Sequence, residues 1–135
     1  MELLLEADPD TSAVTRYLDE STILVASKEN SIIGVAVLIH ADEKFELKNI
    51  VVRDSHQGQG VAKNLISAIK DKVKCLGGDS LYVGTGNSSL SQLALYQKCG
   101  FRMEYIEKNF FSDYPEDIYE NGIRCLDMVV LCAKL

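Results

Sequence analysis

Apolar residues follow two different periods along this chain. In the first half they come in short runs rich in Thr, Ile and Val: Thr22 to Ser27, Ser31 to His40 and Phe45 to Arg53, parted by Lys28-Glu29-Asn30 and Ala41-Asp42-Glu43. Such runs between polar turns predict three strands in an antiparallel meander. From Gln57 to Leu76 the period lengthens. Ala62, Leu65, Ile66, Ile69, Val73 and Leu76 fall on one helical stripe, with Lys63, Asn64, Lys70, Asp71 and Lys74 opposite, which predicts a surface helix packed on the sheet and ended by Gly77-Gly78. A strand follows at Leu81 to Thr85, and strand, helix, strand implies a right-handed parallel crossover.

A second helix is expected from about Ser88 to Cys99, closed by Gly100, with Leu90, Leu93 and Ala94 as its apolar stripe and Tyr96 at the edge of that stripe. Phe101 to Phe110 and Ile123 to Leu135 read as a final antiparallel pair, with Asn121-Gly122 turning into the last strand. Ahead of the meander, Leu3 to Leu5 reads as a short edge strand and Asp8-Pro9 as the start of a helix to about Leu18. The expected class is mixed α/β (α+β): a mostly antiparallel twisted sheet with a central parallel pair joined by a crossover helix, and helices on both faces.

Composition narrows the possibilities. A chain of 135 residues suits one domain, 1–135, and is too short for two ordinary ones. With 47% hydrophobic and 25% charged residues and only two prolines, neither a disordered tail nor a linker is indicated. A net charge of −6 argues against a nucleic-acid partner, which rests on clustered Lys and Arg, and suits a cationic small substrate better. Cys75, Cys99, Cys125 and Cys132 form no C-x-x-C and, with only His40 and His56, offer no metal-ligand cluster, so no metal is expected and the thiols read as reduced. The first residues lack a basic, then apolar leader, and no stretch reaches membrane-spanning length, so a cytoplasmic protein without a membrane partner is expected.

The stretch that carries chemistry is His56-Gln57-Gly58-Gln59-Gly60-Val61-Ala62, between the apolar Ile50-Val51-Val52 and the first long helix. A glycine turn from strand into helix lets backbone approach a ligand closely and leaves first-turn N–H groups for an anion, most naturally a phosphate or pyrophosphate. The spacing excludes two familiar anion loops. Counting from Gly58, Lys63 stands where a dinucleotide G-x-G-x-x-G needs its last glycine, and G-x-x-x-x-G-K-[ST] is absent. Gln57-x-x-Gly60-x-Ala62 after a strand instead resembles the acetyl-CoA pyrophosphate loop of the GNAT superfamily of N-acetyltransferases, Q/R-x-x-G-x-G/A. A second block, Gly84-Thr85-Gly86-Asn87 through Ala94-Leu95-Tyr96-Gln97-Lys98-Cys99-Gly100-Phe101, is similar to the same family's T-x-x-x-N…A-x-x-L-Y-x-x-x-G-F. The resemblance runs from about Thr22 to the C-terminus; the chain departs from the family in its compressed first 20 or so residues.

The resemblance implies acetyl transfer from acetyl-CoA to an amine. Gln57, Gly58, Gln59, Gly60, Val61 and Ala62 would hold the pyrophosphate, the backbone at Val51 and Val52 the pantetheine arm and the oxyanion, and Asn87 the same arm, although its context equally describes a helix cap. Tyr96 would be the general acid, against a tyrosine at the core edge. Glu46, six residues before Val52, matches the place of a glutamate acting through water; it would share its face with Lys48 and Ile50, and a plain strand glutamate is the alternative. Lys63 and His56 are candidates for a phosphate or simply solvated. Phe110, Phe111, Tyr114 and Tyr119 with Asp113, Glu116, Asp117 and Glu120 form a stretch without a basic residue, able to cup a cationic amine or merely to pack under an acidic loop. A non-catalytic acyl-CoA sensor is the competing function. The acceptor and the oligomeric state are not legible.

Overall fold

The computed structural model describes residues 21–58 and 60–135. The expectations for Leu3 to Leu18 lie outside the described residues. Two compact units are distinguished, one holding the described residues up to Leu81 together with Leu135, the other Tyr82–Lys134.

The first unit is the meander and its helix. Strands β1 (Ser21–Lys28), β2 (Ser31–Ala41) and β3 (Lys44–Val52) pair antiparallel in sequence order. Each loop is two residues long, and both residues have positive φ: Glu29 at 54° and Asn30 at 67°, Asp42 at 52° and Glu43 at 63°. That is the type I′ geometry, whose twist matches that of the flanking strands. Helix α1 (Val61–Cys75) lies on the face formed by Leu24, Ala26, Ala36, Leu38, Leu47 and Ile50, against which it buries Val61, Leu65, Ile66, Ile69 and Val73. Each of these large side chains contributes roughly 1.5–3 kcal/mol. Gly34 sets the close approach, since a Cβ there would stand 3.0 Å from Leu65 Cδ1 and 3.1 Å from Val61 Cγ1. The expected stripe is corrected at its end: Leu76 is the C-cap, past the last turn, and is 50% exposed.

Strand β4 (Ser80–Gly86) leaves α1 and completes the crossover, forming with β3 the parallel pair of an otherwise largely antiparallel sheet. From there the order is β4-β8-β5. Strands β5 (Arg102–Glu107) and β8 (Met128–Lys134) pair antiparallel, Arg102 opposite Cys132 and Glu107 opposite Met128. Val129 to Ala133 are buried, while every residue of β5 is exposed. The expected last pair is shorter than the apolar pattern suggests. Residues 108–127 form an excursion containing a two-residue hairpin, β6 (Tyr119–Glu120) and β7 (Ile123–Arg124), around Asn121-Gly122. The turn is where its sequence places it, but it closes this small hairpin and does not lead into β8.

Helix α2 (Leu90–Lys98) presents a different face from the expected one: Leu90 is 46% exposed and Ala94 is exposed, whereas Tyr96 is only 6% exposed. The helix end explains this. Phe101 N donates to Tyr96 O at 3.0 Å and Gly100 N to Gln97 O at 3.1 Å, the two bonds of a Schellman motif, which brings the residue after the glycine onto the last turn. The Phe101 and Tyr96 rings accordingly meet, centroids 5.7 Å apart. In a helix of nine residues, that contact outweighs a weak stripe.

Candidate active site

In the first unit the chain leaves β3 through a single 3-10 turn, Asp54–His56. Arg53 N donates to Ile33 O at 2.8 Å and His56 N to Arg53 O at 2.9 Å, while Ser55 Oγ lies 2.9 Å from His56 Nδ1. The Gln57 amide folds back over this turn, its Nε2 donating to Val52 O and to Asp54 Oδ1, both at 3.1 Å. The motif glutamine therefore ties the loop to the strand end. Gly58 and Gly60 follow with φ of 78° and 81°, in the left-handed region where a side chain is costly. A Cβ on either would meet no described residue within 4 Å. Gln59 lies outside the described residues.

Gly60 is the N-cap of α1, and its carbonyl accepts the first helical bond, from Asn64 N at 3.0 Å. The N–H groups of Val61, Ala62 and Lys63 belong to the turn that has no intrahelical acceptor. No side chain caps them, and the first turn holds no acid. Neither the N-cap nor the first turn thus supplies an anion to the positive end of the helix dipole.

On β3 the register contains a bulge. Val37 faces Asn49 but Leu38 faces Leu47, so Lys48 is the extra residue. This corrects the expected placement of Glu46. Past an extra residue the alternation changes phase, and Ile50 joins Phe45 and Leu47 on the buried, α1-facing side. Glu46, opposite Ile39, is half-buried on the other side, in phase with Val51. Val51 is 56% exposed and Val52 half-buried.

In the second unit, Tyr96 points its ring into the packed face of α2. Burial, and secondarily the nearby Cys99 thiol, raises its hydroxyl above the ordinary 10.0. The phenol therefore stays protonated at neutral pH. Asn87 is engaged on both ends of its amide: Oδ1 accepts from Leu126 N at 2.8 Å and Asp127 N at 2.9 Å, and Nδ2 donates to Arg124 O at 3.1 Å. Its backbone N donates to Asp127 O at 2.9 Å. Asn87 does not cap α2; the N-cap is Ser89, with no side-chain bond to the helix.

Sequence reasoning missed what stands at that helix start. Ser88 Oγ, fully buried, and Ser89 Oγ donate to Glu120 Oε1 at 3.2 and 2.8 Å, and Asn121 Nδ2 donates to Ser88 O at 2.9 Å. These partners lie more than thirty residues apart along the chain, and no local spacing announces them. The excursion they anchor is further tied by Asn109 N to Asp127 Oδ1 and Phe111 N to Leu126 O, both at 2.9 Å. Phe110, Phe111 and Tyr114 pack edge to face in a row. Arg124, reaching in from β7, pairs with Asp117 at 2.8 Å. Asp113 and Glu116 are exposed and take part in no ion pair among the described residues.

Among the described residues no three His, Cys, Asp or Glu side chains converge as metal ligands, and no helix is long and apolar enough to cross a membrane. The loop after β3 leads into a helix start whose N–H groups suit an anion, and Tyr96 is held as a neutral phenol.

Comparison with known proteins points the same way. The sequence pattern of the Acetyltransferase (GNAT) family matches residues 3–101. A Bacillus subtilis (strain 168) protein described as an uncharacterized N-acetyltransferase, YvbK, is 46% identical over 136 residues, spanning 99% of this chain and 88% of its own. A B. subtilis acetyltransferase solved in complex with CoA superposes with a TM-score of 0.83 at 44% identity, over 96% of this chain and 86% of that one. A GNAT family acetyltransferase from Elizabethkingia anophelis, solved with acetyl-CoA bound, gives 0.82 at 44% identity over the same shares. With its glycine loop between β3 and α1 and its buried tyrosine on α2, this chain belongs to the acetyltransferase (GNAT) family.

Proposed function

We propose that the protein moves the acetyl group of acetyl-CoA to an amine by direct transfer in a ternary complex, with residues 1–135 acting as one catalytic domain. The observation that carries this reading is the start of α1, where a left-handed glycine N-cap opens a helix that has neither a capping side chain nor an acid in its first turn. Such an end suits a diphosphate, and relatives 44% identical hold CoA or acetyl-CoA.

Acetyl-CoA, when bound, supplies an activated thioester. The backbone from Gln57 to Ala62, Gln59 included, grips the pyrophosphate, and the main chain at Val51 and Val52 steadies the pantetheine arm and the carbonyl oxygen. Asn87 has one Nδ2 hydrogen left for the same arm after its bond to Arg124. Tyr96, kept protonated by burial, gives its proton to the departing thiolate. Glu46, acting through water, takes the proton from the attacking amine. The acceptor is a small amine bearing a further positive charge, held by Asp113 and Glu116 beside the exposed Phe110 and Tyr114 rings.

A thiol-release assay with acetyl-CoA against neutral, singly and doubly charged amines tests this. Amine-dependent release is expected, fastest for the doubly charged set. Asp113→Asn with Glu116→Gln should raise KM for those amines several-fold and leave KM for acetyl-CoA unchanged. Acetyl-CoA binding without release for any amine would favour a non-catalytic sensor.

A further inference from the structure

Strand β5 ends the sheet: the order closes on β4-β8-β5, so among the described residues one of its edges pairs with β8 and the other is open. All six of its residues are exposed, although Phe101 just before it and Val129 to Ala133 beside it are buried. Met103 is 57% and Ile106 59% exposed, and neither Arg102 nor Glu107 takes part in an ion pair among the described residues. An open edge of this kind is a template for another strand, and proteins commonly guard it with charges and bulges. β5 has both. Arg102 lies opposite Cys132 and Met103 opposite Leu131, but Tyr105 lies opposite Val130, so Glu104 is an extra residue. In a regular strand Met103 and Ile106, three apart, would point to opposite sides, as would Arg102 and Glu107, five apart. Past the extra residue the alternation changes phase. Ile106, opposite Val129, comes onto the side of Met103, and Glu107, opposite Met128, onto the side of Arg102.

We infer that β5 pairs antiparallel with β5 of a second copy of this chain, about a two-fold axis between Glu104 and Tyr105. In that register Arg102 faces Glu107 of the partner subunit and Met103 faces Ile106 of the partner subunit, and the symmetry repeats each pair. Residues opposed across two strands must point to the same side of the sheet, and the bulge is what lets this register meet that condition. A shift of one residue either way would set Arg102 against Ile106 or Met103 against Glu107, which point to opposite sides. The charges that guard the edge against an arbitrary strand thus admit a copy of the same strand. Six residues of edge are a small contact beside the ~800 Å² per partner of a standard interface, so the dimer is weak and depends on concentration.

Sedimentation velocity of the full chain without ligand, from micromolar to near-millimolar concentration, tests this. Wild type should pass from monomer to dimer. Arg102→Glu sets like charges opposite each other at both ends of the contact, as does Glu107→Arg. Each single variant should stay monomeric where wild type is mostly dimeric, with an unchanged melting temperature when dilute, because both positions are exposed. Mixed in equal amounts, the two single variants should form a heterodimer, and Arg102→Glu with Glu107→Arg in one chain should dimerise again, since either combination puts opposite charges back across the axis. Wild type that stays monomeric throughout would overturn the inference. So would a dimer indifferent to both single substitutions, which would lie on another surface. Single variants that dissociate but are rescued neither by mixing nor by the double exchange would overturn it as well, because the two positions would then not face each other.

Discussion

The two helices begin in opposite ways. At α2 the N-cap Ser89 and the buried Ser88 before it both donate to the Glu120 carboxylate, so the positive end of the helix already has a protein anion beside it. At α1 the N-cap is Gly60, the first turn holds Lys63 and no acid, and no side chain closes it. Capping and dipole terms of ~0.5–2 kcal/mol are available at any helix start. α2 takes them from the fold; α1 has no such partner at its N-cap or in its first turn and can take them from a ligand. In the proposed reaction α1 would work from its first turn and α2 from its body, where Tyr96 is buried.

The contrast breaks most completely at Gly60. Gly60→Val puts a β-branched side chain at a φ of 81° and into the space before the loop, and should abolish the thermal shift produced by saturating acetyl-CoA; a wild-type-like shift would mean that the helix start holds no anion. Next in size is the other half of the contrast. Tyr96→Phe keeps the ring against Phe101, so stability and acetyl-CoA Kd should hold while kcat falls by about 10²–10⁴-fold, the range for loss of a general acid. The phenol also leaves a signature in pH. Its folded value is raised above 10.0, so the unfolded chain releases that proton first. Its contribution is intact below pH 10 and is lost as pH rises through the folded value. Wild type should therefore lose stability above pH 10 faster than Tyr96→Phe, as read from urea midpoints. The smallest effect makes α1 resemble α2. Lys63→Glu should stabilise the ligand-free protein by ~0.3–1 kcal/mol and weaken acetyl-CoA binding, two changes of opposite sign; a loss in both would place Lys63 in the packing and not in the field of the helix end.

Much of this was legible in the sequence where the determinant is local. The strands of the meander, both of its turns and the body of α1 follow from alternation, turn residues and a long helical stripe. The glycine loop was legible because its residues are consecutive. Where the determinant is a distant partner, local reading failed. The orientation of α2 depends on the Gly100-Phe101 cap and not on Leu90 or Ala94. The bonds of Asn87 are made to residues near 125, and those of Ser88 to Glu120 and Asn121. The bulge at Lys48 has no glycine to announce it, which is why Glu46 was expected to share a face with Ile50.

That one extra residue in β3 also limits how the gene can vary. A loop such as 108–127 absorbs an insertion by changing length, but Lys48 divides β3 into two halves that are out of step, and the second half leads directly into the glycine turn. Deleting Lys48 would close the bulge and leave Ile50 opposite Ala36 on the α1 side, whereas deleting a residue between Ile50 and Arg53 would turn Val52 to the other side and rotate the exit of the strand by half a turn. Substitutions along this segment are negotiable one at a time, whereas its length is negotiable only at the bulge, so related sequences should align through β3 with any gap confined to the position of Lys48 even where their side chains have drifted.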